Sequence, residues 1–174
     1  MYLGLDLGTS GLRGLLVQAD GDAVGSASAD YAVARPNPGW SEQNPYDWIT
    51  ACNSVVNQLR HEYSAEFSKL TGIGVAGHMH GAVLLDATGE VLNPCILWND
   101  TRASAEAALL DAMPGFREIS GNIVFAGFTA PKLVWLKKHQ PDIFARIAKV
   151  LLPKDYINFW LTGRYISDMS DGAG

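Results

Sequence analysis

A chain of 174 residues is long enough to enclose one sizeable core, and 48% apolar with 18% charged residues is the make-up of a soluble globular protein. A net charge of −5 with no Lys/Arg block argues against nucleic acid or an anionic membrane surface as partner. No apolar run nears the ~20 residues that span a bilayer, no secretory leader is evident, and Cys52 and Cys95 make neither a disulfide framework nor a metal spacing, so the cytoplasm is the expected setting.

The run Met1 to Leu7 reads as a strand carrying one acid, Asp6, among apolar neighbours. Gly8-Thr9-Ser10-Gly11 reads as a tight connection, and Leu12 to Gln18 as the returning strand. Asp20-Gly21 signals a turn, and Ala23 to Tyr31 a third strand of the same meander. A Pro-, Asn- and Gly-rich loop over 35–45 follows, with Asn44 as N-cap and Pro45 as first helical residue. Trp48, Cys52, Val55, Val56, Leu59 and Tyr63 then recur at helical spacing.

Leu70 to Ala76 reads as a buried strand. Ala82–Asp86 and Val91–Leu97 read as two strands around the turn Asp86-Ala-Thr-Gly89-Glu90. Beyond Trp98 the pattern is mostly helical. Thr101 is expected to cap an alanine-rich helix ending before Pro114-Gly115, and Thr129 a second helix through Leu136. Pro141 starts a short helix, Val150–Leu152 is a short strand, and Asp155–Leu161 a helix stopped by Gly163. The order β-β-β-α-β with later helices suits a mixed sheet covered on both faces.

The opening loop offers backbone N–H groups and hydroxyls to an anion, with Gly8 and Gly11 free to adopt positive φ and to admit close approach. It is neither a Walker A loop, which needs Gly-Lys-Ser/Thr, nor a dinucleotide fingerprint, whose glycines open a helix. Here the glycines open a strand. An ordinary hairpin turn explains the loop alone equally well. Asp6 favours function, because a carboxylate in an apolar strand is costly to bury without a partner or metal.

Two further clusters carry chemistry. Gly77-His78-Met79-His80-Gly81 follows a strand end, where open α/β sheets place ligands, and pairs imidazoles with an apolar contact. A polar turn with one satisfied histidine is the plainer alternative, and metal ligation is disfavoured for want of a third ligand nearby. Trp98-Asn99-Asp100-x-Arg102 joins an aromatic platform to polar groups able to hold a polyol. The alternative makes Trp98 core and Asp100/Arg102 a surface pair.

The element order and opening loop resemble the ribonuclease-H-like domain shared by actin, heat-shock chaperone ATPases and sugar kinases. The later segments narrow this: Gly77 to Gly81, Leu97-Trp98-Asn99-Asp100-Thr-Arg102, Gly127-Phe128-Thr-Ala-Pro131-Lys132, Leu152-Pro-Lys154-Asp155-Tyr156 and Ser167-Asp168-Met-Ser-Asp171 occur in order. Together they resemble the N-terminal half of the FGGY carbohydrate kinases, most of all the xylulose-phosphorylating members, from Met1 to Gly174. The resemblance implies an α/β, ribonuclease-H-like fold, with a mixed central sheet and helices on both faces, as one N-terminal kinase domain over residues 1–174.

It also implies an ATP-dependent sugar kinase using Mg²⁺. Met79 and His80 would contact the sugar, with Trp98, Asn99, Asp100 and Arg102 lining the same pocket. Gly8, Thr9, Ser10, Gly11 and Arg13 would approach the ATP phosphates, and Asp6 would take the catalytic role of facing Mg²⁺ through water. His78 stands where many such enzymes have glutamine, and Arg13 where lysine is common. D-xylulose is the implied acceptor, with ribulose, fuculose, gluconate or glycerol as alternatives and a non-catalytic sugar-binding module as a different class of reading. Family members continue into a second domain that holds the nucleotide and supplies the general-base aspartate. The ending Ser170-Asp171-Gly-Ala-Gly174 reads as interrupted, so that C-terminal domain is an expected partner and turnover by this chain alone is not expected. Asp168 and Asp171 suit surface or capping duty better than the pocket, and a homodimer is left open.

Overall fold

Leu3, Leu5 and Leu7 alternate with Tyr2, Gly4 and Asp6, and this period of two becomes β1 (Tyr2–Leu7), with the leucines buried and the intervening residues exposed. The computed structural model describes residues 1–173 and divides into two units. The first comprises Met1–Ala32 and Tyr46–His78, the second Val33–Pro45 and Met79–Gly174.

In the first unit β1 pairs antiparallel with β2 (Gly11–Val17), which pairs antiparallel with β3 (Ala23–Asp30). On its other side β1 pairs in parallel with β5 (Gly72–Gly77), so the sheet order is β3-β2-β1-β5. Helix α1 (Pro45–Glu62) opens on Pro45 as expected and lays Trp48, Cys52, Val55 and Leu59, all fully buried, on one sheet face. The seat is Gly14, where an added Cβ would lie 2.4 Å from Val55. A one-turn helix, α2 (Ser64–Phe67), follows.

The expected mixed sheet with helices is present, and α1 covers one face of it. The opposite face exposes Tyr2, Gly4, Asp6, Arg13, Leu15, Ser26 and Ser28. β5 is likewise an edge strand and largely exposed, not the buried strand expected, with Ile73 at 47%.

The second unit holds two short sheets. β4 (Glu42–Gln43) pairs antiparallel with β7 (Cys95–Ile96), and β6 (Val83–Leu85) with β8 (Lys149–Leu151). The hairpin expected around Asp86–Glu90 is held by two isolated antiparallel bridges, Leu85 to Val91 and Ala82 to Ile96, while each flanking strand finds its ladder partner elsewhere in the sequence. Helices α3 (Ser104–Asp111), α4 (Phe116–Ser120), α5 (Thr129–His139), α6 (Pro141–Phe144) and α7 (Pro153–Thr162) complete the unit, with a final 3₁₀ turn at Asp171–Ala173. Ala82, Leu84, Ile96, Ala103, Trp135 and Leu136 form its core, with Trp40 and Leu133 packed against them. Gly163 stops α7 in the left-handed conformation (φ 70°), as its sequence position suggests.

Two capping expectations fail. Thr101 does not cap α3; its hydroxyl donates to the Gly39 carbonyl at 3.2 Å and the cap position is Ala103. Thr129 does not cap α5 either: it is the first residue of that helix, and its hydroxyl goes elsewhere, to His80.

Candidate functional site

In the first unit the hairpin register sets Asp6 directly across from Arg13, and Arg13 across from Ser28, all three on the exposed sheet face. The connection is the two-residue turn Thr9-Ser10, closed by the Gly8 N–H donating to the Gly11 carbonyl at 3.0 Å. Tyr31 pins this turn from β3's end: its hydroxyl donates to the Gly8 carbonyl at 2.6 Å and its N–H to the Ser10 carbonyl at 3.2 Å. Burial first, and the neighbouring Asp6 charge second, push the Tyr31 phenol well above its usual range, so it stays a neutral donor.

Two expectations about this loop are corrected. Asp6 is not buried, since strand alternation turns it out of the leucine face, and its presence needs no compensation for burial. Gly8 and Gly11 do not use positive φ. Their lack of a side chain is used for close approach: a Cβ on Gly11 would sit 2.9 Å from the Ala29 carbonyl oxygen.

In the second unit, the residues past β5 make a sharp turn. Gly81 N–H donates to the Met79 carbonyl at 2.8 Å, closing a three-residue γ-turn around His80. His80 has φ 61°, the one positive φ at a non-glycine residue among those described. A γ-turn of this hand is rare, and such backbone costs on the order of 1–3 kcal/mol unless its surroundings impose it. Two groups on α5 converge on the His80 carbonyl: Lys132 Nζ at 2.6 Å and Thr129 Oγ1 at 3.1 Å. The Lys132 side chain is completely buried, and burial pushes its amine down to about 8, against the pull of Cys95 and Asp100 and with a push from Arg102.

The His80 ring packs against Phe128 with centroids 4.5 Å apart. Burial and Lys132 lower its pKa while Asp171 opposes them, so the imidazole is neutral at neutral pH. Met79 beside it is 52% exposed. Gly127, next to Phe128, meets the second motif: a Cβ there would fall 2.0 Å from the Trp98 carbonyl oxygen. The stretch Gly127-Phe128-Thr129 therefore joins the His80 turn to the Trp98 loop.

Within that loop the roles divide differently from either alternative read in the sequence. Trp98 is 45% exposed, not core. Asp100 and Arg102 are a buried pair, not a surface one. The Asp100 carboxylate accepts from the Ser41 N–H at 2.6 Å and from the Arg102 N–H, Nε and Nη2 at 2.9, 2.9 and 2.7 Å. Arg102 also reaches Glu42 at 2.7 Å and stacks over the Trp40 ring at 3.6 Å, with only 2% of its side chain exposed. Removing one member of such a pair strands a buried charge, typically at about 3–5 kcal/mol. Their geometry makes Asp100 and Arg102 the frame that holds Trp98 and Asn99, whose Oδ1 is buried with no partner among the described residues.

Lys154 gathers three carboxylates, Asp155 at 2.5 Å, Asp168 at 2.8 Å and Asp171 at 3.3 Å. Asp168 takes up the expected capping duty, accepting the N–H groups of Ser170 and Asp171 at 2.9 Å each, and Lys154 holds its carboxyl down to about 2. Asp171 instead lines a cavity of about 390 Å³ together with Thr129, Asp155 and Tyr165. No group of three or more His, Cys, Asp or Glu able to hold a metal occurs among the described residues, and His78 lies against Trp48 in the first unit, ring centroids 5.4 Å apart.

Sequence reasoning singled out Asp6, Met79, His80 and Trp98 but passed over Tyr31, Trp40 and the tasks of Thr129 and Lys132. One signal for Lys132 was available: it shares the α5 stripe of Pro131, Trp135 and Leu136, where a lysine has no business unless it bonds something.

The profile of the FGGY family of carbohydrate kinases, N-terminal domain, matches residues 1–174. A curated relative, the xylulose kinase of Escherichia coli, is 49% identical over 100% of this chain and 36% of its own length. A crystal structure of a xyloylose kinase from Brucella ovis is 63% identical, with a TM-score of 0.98 over 99% of this chain and 36% of that one. The xylulose kinase from Rhodospirillum rubrum follows at 33% identity, with a TM-score of 0.93 over 98% of this chain and 36% of that one. The chain thus spans about a third of the length of the relatives it matches.

Proposed function

Because the chain belongs to the FGGY family of carbohydrate kinases, as its N-terminal domain, we propose that it is the sugar-holding part, and one wall of the phosphate site, of a cytoplasmic xylulose kinase. The reaction is transfer of the γ-phosphoryl group of ATP to a hydroxyl of D-xylulose. The observation that carries this reading is the joining of the Met79-His80 turn and the Trp98 loop through Gly127-Phe128-Thr129.

That arrangement presents an apolar thioether, a neutral imidazole and an indole together with the Asn99 amide, a set that suits a small polyol. Asp100 and Arg102, being satisfied by each other, act by fixing the loop. On the nucleotide side, Arg13 with the Thr9 and Ser10 hydroxyls offers charge and hydrogen bonds to phosphate oxygens. An exposed carboxylate, Asp6, beside them fits Mg²⁺, which keeps most of its water and takes one or two protein carboxylates. Mg²⁺ held there would neutralise charge on the transferred group. The general base is proposed to lie in the remaining length that the relatives have.

Kinetics of the full-length protein on D-xylulose, ribulose, fuculose, gluconate and glycerol test the reading. D-xylulose is expected to give the highest kcat/KM; a better rate on any other acceptor overturns the sugar assignment. Asp6→Asn is expected to lower kcat about 100-fold or more while leaving the sugar KM within about twofold. Calorimetry of the 174-residue chain is expected to show weak D-xylulose binding, and a coupled assay no turnover.

A further inference from the structure

His80 sits in a left-handed γ-turn that its own side chain disfavours, and no hydrogen bond within the turn explains the choice of hand. What surrounds it does. The His80 carbonyl accepts from two side chains of one helix, Lys132 and Thr129, the first fully buried. An ammonium held out of water is costly unless it bonds well, and a leucine or methionine would fill the same space without that cost. Thr129 supports the same conclusion from a second side: from the first residue of α5 its hydroxyl donates to the same carbonyl.

We propose that Lys132, assisted by Thr129, is a positioning residue for sugar recognition, holding the His80 carbonyl so that the γ-turn aims Met79 and His80 at the substrate. This rests on the reading that Met79 and His80 contact the sugar. Lys132 itself touches no substrate. Cys95 and Asp100 favour its charged form and Arg102 opposes it, so the helix that fixes the turn lies in the electrostatic reach of the frame under Trp98.

The test is steady-state kinetics of the full-length protein with D-xylulose and ATP varied in turn. Lys132→Met keeps the length of the side chain and removes the donor. It is expected to raise the sugar KM about tenfold or more, with the ATP KM within about twofold, since small misplacements of a binding group have effects of this size. Thr129→Val is expected to raise the sugar KM by a smaller factor and Thr129→Ser to restore it. This pair keeps the inference testable even if Lys132→Met does not fold.

The decisive readout is a double-mutant comparison. Glycine adopts positive φ without support, so in a His80→Gly background the further loss from Lys132→Met is expected to vanish. An equal loss in both backgrounds would mean the lysine acts through general packing and overturns the proposal. So would an unchanged sugar KM in Lys132→Met alongside a damaging His80→Gly. A His80→Gly variant with an unaltered sugar KM would instead overturn the reading of the sugar site on which the proposal stands.

Discussion

A lysine amine held at about 8 in the folded protein and at its ordinary 10.5 in the unfolded chain has a definite signature in stability. Below pH 8 both states carry the proton, and the folded state bears the full cost of burying it. Between about 8 and 10.5 the unfolded chain holds more protons, so stability rises with pH on account of Lys132. Other groups titrate in the same range, among them Cys52, which burial pushes up to about 11, and Cys95, pushed up to about 12. Comparison with Lys132→Met cancels them. The stability of the native sequence relative to the variant is expected to improve by up to about 3 kcal/mol between pH 7.5 and 10.5, read from urea midpoints at each pH. A flat difference would show that the amine is not desolvated. Little of this was legible beforehand, because a lysine in a helical stripe reads as a snorkelling side chain until its target carbonyl is located.

At the scale of elements, α1 sits close on the sheet over Gly14. Gly14→Ala places a methyl 2.4 Å from Val55 and 3.1 Å from Leu59, on rigid neighbours, and is expected to cost about 1–3 kcal/mol in denaturant melts. Gly74, on edge strand β5 with nothing within 4 Å of its Cβ position, is the control; Gly74→Ala is expected to stay within about 0.5 kcal/mol. Equal costs at both sites would remove Gly14 as the seat of the helix. The long periodic elements, β1 to β3, α1, α5 and α7, were readable to within a few residues, since each satisfies its own pattern. Two-residue β4 and one-turn α2 and α4 were not, because so short a segment has no period to read. Val83–Leu85 was readable as a strand but not for its partner, β8, which only tertiary packing selects. Alternation in β1 also carried the true exposure of Asp6, which its apolar neighbours obscured.

At the scale of the whole molecule, the chain passes between its two units at residues 32/33, 45/46 and 78/79. The inserted stretch Val33–Pro45 is small but indispensable to the second unit. It brings Trp40 under the Arg102 guanidinium, Glu42 to the same guanidinium and the Ser41 N–H to Asp100. A hybrid that takes residues 79–174 from a relative of 33–49% identity but retains the native 33–45 is therefore expected to melt lower, and less cooperatively, than one exchanging both stretches. Matching melts for the two hybrids would show the inserted stretch to be interchangeable. Sequence order hides this dependence, since residues 40 and 102 look unrelated until a cation is found stacked on a ring. A single breakpoint at residue 79 thus parts Asp100 and Arg102 from the Trp40, Ser41 and Glu42 they fit. Exchanging the second unit therefore means carrying the short upstream cassette, residues 33–45, along with the long downstream one.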